Sequence, residues 1–225
     1  VRGKGSDGGQ RGLRSIIDEL GTDQFPRVRF GVGKKPHPDY DMKDWVLSTF
    51  SPSELEKLRA LLEESPDRIS PDLPAYADLR ADLTKARRLV ILTDNCGEIV
   101  MDKLLTETIR RLYPALTITV LVRGGEVLND ATMEDAAQIG LDRMEGITVL
   151  GNGDRLAGTD LTRISPEARA SITEADLIIA KGQGNFETLQ GCGLNIYYAF
   201  LCKCRFFADR FGVPVYTGML VREGR

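Results

Sequence analysis

The chain has 225 residues, 42 % hydrophobic and 28 % charged, with a formal net charge of −3. These values are ordinary for a soluble protein and give no bulk electrostatic case for nucleic-acid or membrane-surface partners. No apolar stretch approaches the roughly 18 residues of a membrane span, the opening Val-Arg-Gly-Lys-Gly-Ser is not a signal peptide, and the expected compartment is the cytosol.

In chain order, residues 5–17 read as a glycine loop opening into a short helix, and 26–33 alternate like a strand. Ser51, Pro52 and Glu54 mark a helix start, because serine caps, proline fits the first turn and glutamate follows three positions after the cap. Leu55, Leu58, Leu61 and Leu62 continue the apolar face of that helix. The proline-bearing stretch that follows reads as a linker. The expected organisation is therefore a small α+β segment over 1–65, a linker over 66–74 and a larger domain over 75–225.

Gly-Ser-Asp-Gly-Gly-Gln-Arg-Gly-Leu-Arg-Ser-Ile from Gly5, Phe-Pro-Arg-Val-Arg-Phe-Gly-Val-Gly from Phe25 and Trp-Val-Leu-Ser-Thr-Phe-Ser from Trp45 come in that order. Over about 2–64 the chain resembles the C-terminal part of bacterial peptidyl-tRNA hydrolase. The family's N-terminal half, with its catalytic histidine, is absent from the match, and Gln10 stands where the family usually has histidine. That hydrolysis is not expected from this piece. Arg2, Lys4, Arg11 and Arg14 read as solvated charge, with a remnant RNA-contacting face as the alternative, and His37 as a surface histidine in a turn.

The second half is more regular. Strands are expected at 89–93, 117–122, 147–150, 176–180 and 213–216. Helices are expected at 98–112, 131–139 and 166–172, with a long one at 194–211. This alternation implies a three-layer, doubly wound, mostly parallel α/β sheet. Cys96, Cys192, Cys202 and Cys204 lack zinc-site spacing, the last two lie inside the expected long helix, and the one histidine is far away. Reduced packing thiols are expected, and no Ser-His-Asp or Cys-His arrangement is supported.

Three strand ends carry polar clusters: Asp94-Asn95, Asn129-Asp130 and Lys181-Gly182-Gln183-Gly184-Asn185. The C-terminal strand ends of a parallel sheet share one edge, so the three clusters converge. Two carboxylates and an amide carbonyl are hard oxygen ligands suited to Mg²⁺ or Mn²⁺. Lys181 supplies positive charge, and Gly182, Gly184 and Gly97 allow backbone N–H groups to approach an anion. Metal-assisted hydrolysis of a phosphate ester is the matching reaction class.

Asp-Asn-Cys-Gly-Glu-Ile-Val-Met-Asp, Arg-Gly-Gly-Glu-Val-Leu-Asn-Asp-Ala-Thr and Ala-Lys-Gly-Gln-Gly-Asn-Phe-Glu together resemble the damage-control phosphatase family, long known as domain of unknown function 89, over about 76–220. The resemblance implies a divalent-metal phosphatase of small phosphorylated metabolites such as sugar phosphates, using Mn²⁺ or Mg²⁺, with Co²⁺ and Ni²⁺ also open. By motif position, Asp94, Asn95 and Asp130 would bind the metal and carry catalysis. Lys181, Gly182, Gln183, Gly184 and Asn185 would bind phosphate, Glu98 would line the pocket and Lys203, on the late helix, would contact substrate. Attack by metal-activated water is the default, with Asp94 as nucleophile or general base left open. The alternatives are a metal- and phosphate-binding remnant without turnover, and an RNA-associated protein. The family's usual N-terminal helical region, which helps enclose the site, is replaced here by the hydrolase-like segment.

Of the remaining polar residues, Asn152, Asp154 and Asp160 read as turn formers, with a catalytic role as the alternative, and Arg123 and Glu126 as exposed loop charge, with contact to ligand as the alternative. Cys96 reads as a packing residue. Tyr197, Tyr198, Phe200, Phe206, Phe207 and Phe211 read as core on the late helix.

Overall fold

The computed structural model describes residues 74–223, together with Ile17, residues 21–24, Pro52, Ser53 and Glu56. Pro52, Ser53 and Glu56 are helical, in keeping with a helix start at Ser51. The expected strand at 26–33, the leucine face from Leu55 to Leu62, the basic residues near the N-terminus, His37 and the linker up to residue 73 lie outside the described residues.

From Pro74 the elements run α1 (Pro74–Lys85), β1 (Arg88–Leu92), α2 (Ile99–Leu112), β2 (Thr117–Val122), α3 (Met133–Gln138) and β3 (Ile147–Gly151). They continue as α4 (Pro166–Thr173), β4 (Leu177–Lys181), α5 (Gln183–Leu189), β5 (Ile196–Leu201), α6 (Arg205–Phe211) and β6 (Gly218–Glu223). The six strands form one sheet in the order β3-β2-β1-β4-β5-β6. All neighbours are parallel except β5 and β6, which are antiparallel.

The alternation of strand side chains divides the core into two layers. Leu89 and Ile91 of β1 join Ile118 and Val120 of β2 and Leu177 and Ile179 of β4 beneath α1, α2 and α3. Val90 and Leu92 join Leu121, Ile178 and Ala180 on the opposite face, packed by α4, α5 and α6. Helices therefore cover both faces, which is the expected three-layer, doubly wound arrangement. The chain builds β1, β2 and β3 in one direction and then crosses back to place β4 on the other side of β1. The strand ends of β1 and β4 thus flank the crevice where ligands bind in such sheets.

One expected element is overturned. The long helix at 194–211 is instead strand β5, a break at Cys202-Lys203-Cys204 and the short helix α6. Ile196–Leu201 is a continuous apolar run rich in aromatic residues, for which periodicity does not separate strand from helix. Tyr197, Tyr198 and Phe200 are core as expected, but on β5, whereas Phe206 is 69 % exposed. The last strand is also displaced, from 213–216 to Gly218–Glu223, because Pro214 has no N–H to give to a ladder. Helices α5 and α1 form where the sequence marks no element.

Candidate active site

The segment leaving β1 is clipped to the segment before α3. Ala131 N–H donates to Asp94 O at 2.7 Å and Cys96 N–H to Asn129 O at 2.7 Å, making an antiparallel bridge between Asn95 and Asp130. This local pairing sets Asp94 and Asp130 close enough to repel. Asn95 sits between acids: its Nδ2 donates to Asp94 Oδ2 and to Glu98 Oε1, both at 2.8 Å, while Asn129 Nδ2 donates to Asn95 Oδ1 at 2.7 Å.

Asp130 is buried and its Oδ2 accepts from Arg123 Nε at 2.6 Å. Arg123 is not an exposed loop charge as expected; it is 3 % exposed. Its other nitrogens donate to Thr159 Oγ1 at 3.2 Å and Asn185 Oδ1 at 3.4 Å. Asn185 is fully buried and spends its side chain inside the protein, donating to Thr93 O at 3.1 Å and Lys181 O at 2.7 Å and accepting from Thr159 Oγ1 at 2.8 Å. One guanidinium thereby ties together the loops after β2 and β3 and the first turn of α5. Asn152 does act as a turn former, its Oδ1 accepting from Gly124 N–H at 2.8 Å and Asp154 N–H at 3.0 Å.

Lys181, at the end of β4, is held rather than free. Its Nζ donates to Glu98 Oε2 at 2.7 Å and meets Asp102 Oδ1 at 2.6 Å. Gly182 follows with φ +85°, and a β-carbon there would run into the Asp94 carboxylate. Only glycine therefore lets the β4 end approach Asp94. Gln183 Oε1 accepts from Lys203 N–H at 3.1 Å, anchoring the loop that carries the exposed Lys203. Lys203 lies on that loop, not on a helix as expected, and its charge still bears on Asp94 and Glu98.

The electrostatics follow from crowding. Burial, then the charges of Glu98 and Asp130, push the Asp94 carboxyl up to about 6. Burial opposes the Glu98 carboxylate too, but Lys181 outweighs it, and that group stays below its usual range. Burial likewise works against the Lys181 ammonium, yet Asp102 and Glu98 raise its pKa overall.

All ten sequence-designated residues lie at the β1, β2, β4 and β5 ends or in the segments that follow them. Asp94, Asn95, Glu98, Asp130, Lys181 and Gly182 are linked by the contacts above. Three residues of the network were not singled out as functional from the sequence: Arg123, Thr159 and Asp102. For Asp102 a signal was present, since Ile99, Asp102, Thr106 and Ile109 form the buried stripe of α2 and an acid on such a stripe is anomalous. Among the described residues, no three histidine, cysteine, aspartate or glutamate side chains are grouped to hold a metal ion. The candidate donor set is instead two carboxylates and an amide. No helix among the described residues is long and apolar enough to cross a membrane.

Comparison with known proteins agrees with this architecture. Residues 43–219 match the damage-control phosphatase ARMT1-like domain and residues 1–79 match peptidyl-tRNA hydrolase. A damage-control phosphatase of Pyrococcus horikoshii is 34 % identical over 167 residues, 73 % of this chain and 55 % of that protein. A damage-control phosphatase of Archaeoglobus fulgidus is 39 % identical over 129 residues, 57 % of this chain and 44 % of the relative. The peptidyl-tRNA hydrolase of Caldicellulosiruptor bescii is 48 % identical over 69 residues, 31 % of this chain and 35 % of the relative. The crystal structure of a protein of the domain-of-unknown-function-89 family from P. horikoshii has a TM-score of 0.65 at 26 % identity, covering 94 % of this chain and 70 % of that chain. The chain spans about half the length of the curated phosphatases it matches. With most of its residues matched by one family model and its sheet shared with a solved member, the chain belongs to the damage-control phosphatase ARMT1-like family and carries a peptidyl-tRNA hydrolase-like segment at its N-terminal side.

Proposed function

We propose that the protein is a divalent-cation-dependent phosphatase of small phosphorylated metabolites such as sugar phosphates. In this reading residues 75–225 carry the chemistry, 1–65 are a separate segment and 66–74 join them. The observation that carries the reading is the crowding of Asp94 against Asp130 and Glu98 beyond the β1 and β2 ends, which leaves Asp94 raised to about 6. A cation between Asp94 and Asp130 relieves that repulsion, and hard carboxylate oxygens suit Mg²⁺ or Mn²⁺, with Co²⁺ and Ni²⁺ as further candidates.

The residues fit such an ion with one adjustment. Asn95 turns its Nδ2 toward Asp94 and its Oδ1 toward Asn129. Reversing both amides together keeps their mutual hydrogen bond and turns Asn95 Oδ1 toward the acids. Bound there, the ion neutralises phosphate charge and lowers the pKa of an attacking water. Arg123 fixes the orientation of Asp130, as outer partners of metal ligands do. Lys203 offers the exposed cation beside Asp94 and Glu98. The Gly182 N–H is committed to Ala199 O at 3.0 Å, which leaves the N–H groups of Gln183, Gly184 and Asn185, in the first turn of α5 and without intrahelical partners, as the proposed phosphate donors.

Phosphate release from a panel of sugar phosphates tests this, using protein stripped by a chelator and resupplied with Mn²⁺, Mg²⁺, Co²⁺ or Ni²⁺. Release that needs the added cation is the expected result. A folded, cation-binding protein that releases nothing across the panel would instead be a binding remnant.

A further inference from the structure

We propose that Asp102 is a positioning residue for this site, anchoring the Lys181 ammonium from the buried side and through it fixing Glu98 at the mouth. Asp102 lies in the first turn of α2, within the stripe Ile99, Asp102, Thr106 and Ile109 that faces the core. It is 1 % exposed, where a carboxylate is costly unless paired. Its Oδ1 is 2.6 Å from Lys181 Nζ, and the same nitrogen is 2.7 Å from Glu98 Oε2.

Side-chain exposure rises along this row, from 1 % at Asp102 through 17 % at Lys181 to 46 % at Glu98. The row thus runs from the core to solvent. Glu98 and Asp102 are four residues apart, so their carboxylates share a helix face and repel without a bridging cation. Lys181, arriving from the adjacent strand end, is that cation. Glu98 Oε1 accepts from Asn95 Nδ2, which also donates to Asp94 Oδ2. In the cation-free protein the contacts are therefore continuous from Asp102 to the proposed ligand Asp94, and the part from Asp102 through Lys181 to Glu98 does not depend on which way the Asn95 amide is turned.

A purely structural role accounts poorly for this arrangement. Asp102 Oδ2 has no hydrogen-bond partner, and leaving a buried acceptor unsatisfied is costly. Buried ion pairs commonly add no stability over an apolar side chain of the same volume. What the acid does supply is a fixed lysine: with Asp102 in place the ammonium cannot swing toward solvent. Support of this kind decides how accurately the groups that meet a ligand are held.

The proposal rests on the phosphatase reading for its kinetic consequence but not for its structural one. The test uses the full chain, wild type and Asp102→Asn, which keeps the shape and one acceptor while removing the charge. Nitrogen-15 spectra of lysine ammonium groups are recorded for both at low temperature and pH 7, above the value of about 6 to which burial raises the Asp102 carboxyl, with Lys181→Met identifying the Lys181 resonance. In the wild type that resonance is expected to be protected from water exchange, and in Asp102→Asn to be lost. The value of kcat for phosphate release is expected to fall by ~10-fold or more, the magnitude usual for an outer positioning partner, with cation affinity unchanged. A Lys181 ammonium exchanging as fast as exposed lysines in the wild type overturns the proposal, whether or not the variant folds. So does a variant that only unfolds more easily while its resonance and kinetics stay as in wild type. If the wild type releases no phosphate at all, the phosphatase reading fails and the spectra still decide the role of Asp102.

Discussion

Asp94→Asn is expected to lose cation-dependent phosphate release while making the cation-free protein more stable at neutral pH. The loss follows from removing a proposed ligand of the ion that would offset the phosphate charge. Such stabilisation is worth several kcal/mol, and about 4 kcal/mol corresponds to about 10³ in rate. The gain follows from the same crowding. Burial, Glu98 and Asp130 hold the Asp94 carboxyl at about 6, above its ordinary value of 3.8. Between those two values the folded chain binds more protons than the unfolded one, so this group's contribution falls as pH rises and is lowest above about 6. A neutral asparagine removes that slope, a difference of no more than ~3 kcal/mol at pH 7. Thermal unfolding in chelator at pH 5 and pH 7 reads it directly. Equal pH dependence in the two proteins would show that Asp94 is not the strained group.

Gly182→Ala is the second large effect. With φ +85° and ψ 151°, position 182 sits in a region almost reserved for glycine, where another residue costs ~1–3 kcal/mol. The added methyl group also occupies the space of the Asp94 carboxylate. Urea unfolding should therefore show a clear loss of stability, and phosphate release should fall nearly as far as in Asp94→Asn. A variant with wild-type stability and turnover would mean that Asp94 and the β4 end do not depend on each other.

Both effects arise at positions readable from the sequence, and the reason is topological. The run Leu89-Val90-Ile91-Leu92 ending at Asp94-Asn95, and the run Leu177-Ile178-Ile179-Ala180 ending at Lys181-Gly182, are short buried strands with polar ends. In a parallel sheet such ends meet, so the convergence could be argued before any contact was known. The β5 region was misread because Ile196-Tyr197-Tyr198-Ala199-Phe200-Leu201 has no period, and neither glycine nor proline marks its end at Cys202. Helix α5 was hidden by Gly182, Gly184 and Asn185, poor helix formers whose glycines suggested an anion loop.

The supporting shell was least legible. Arg123 precedes a glycine pair and reads as a surface charge; its burial depends on Asp130 and Thr159 from two loops and Asn185 from helix α5 coming together. No local pattern encodes that meeting. Asp102 was more accessible to inference, because its place on the buried stripe of α2 follows from helical spacing alone. The lysine that compensates it, 79 residues later in the chain, does not.

The most direct measurement is a calorimetric titration of chelator-stripped protein with Mn²⁺, comparing wild type, Asp94→Asn and Asp130→Asn. The account predicts one site in the wild type and a loss of affinity of at least ~10²-fold in either variant, since each removes one of two charged ligands of a single ion. Unchanged binding in both variants would contradict it, and would place any cation away from the β1 and β2 ends.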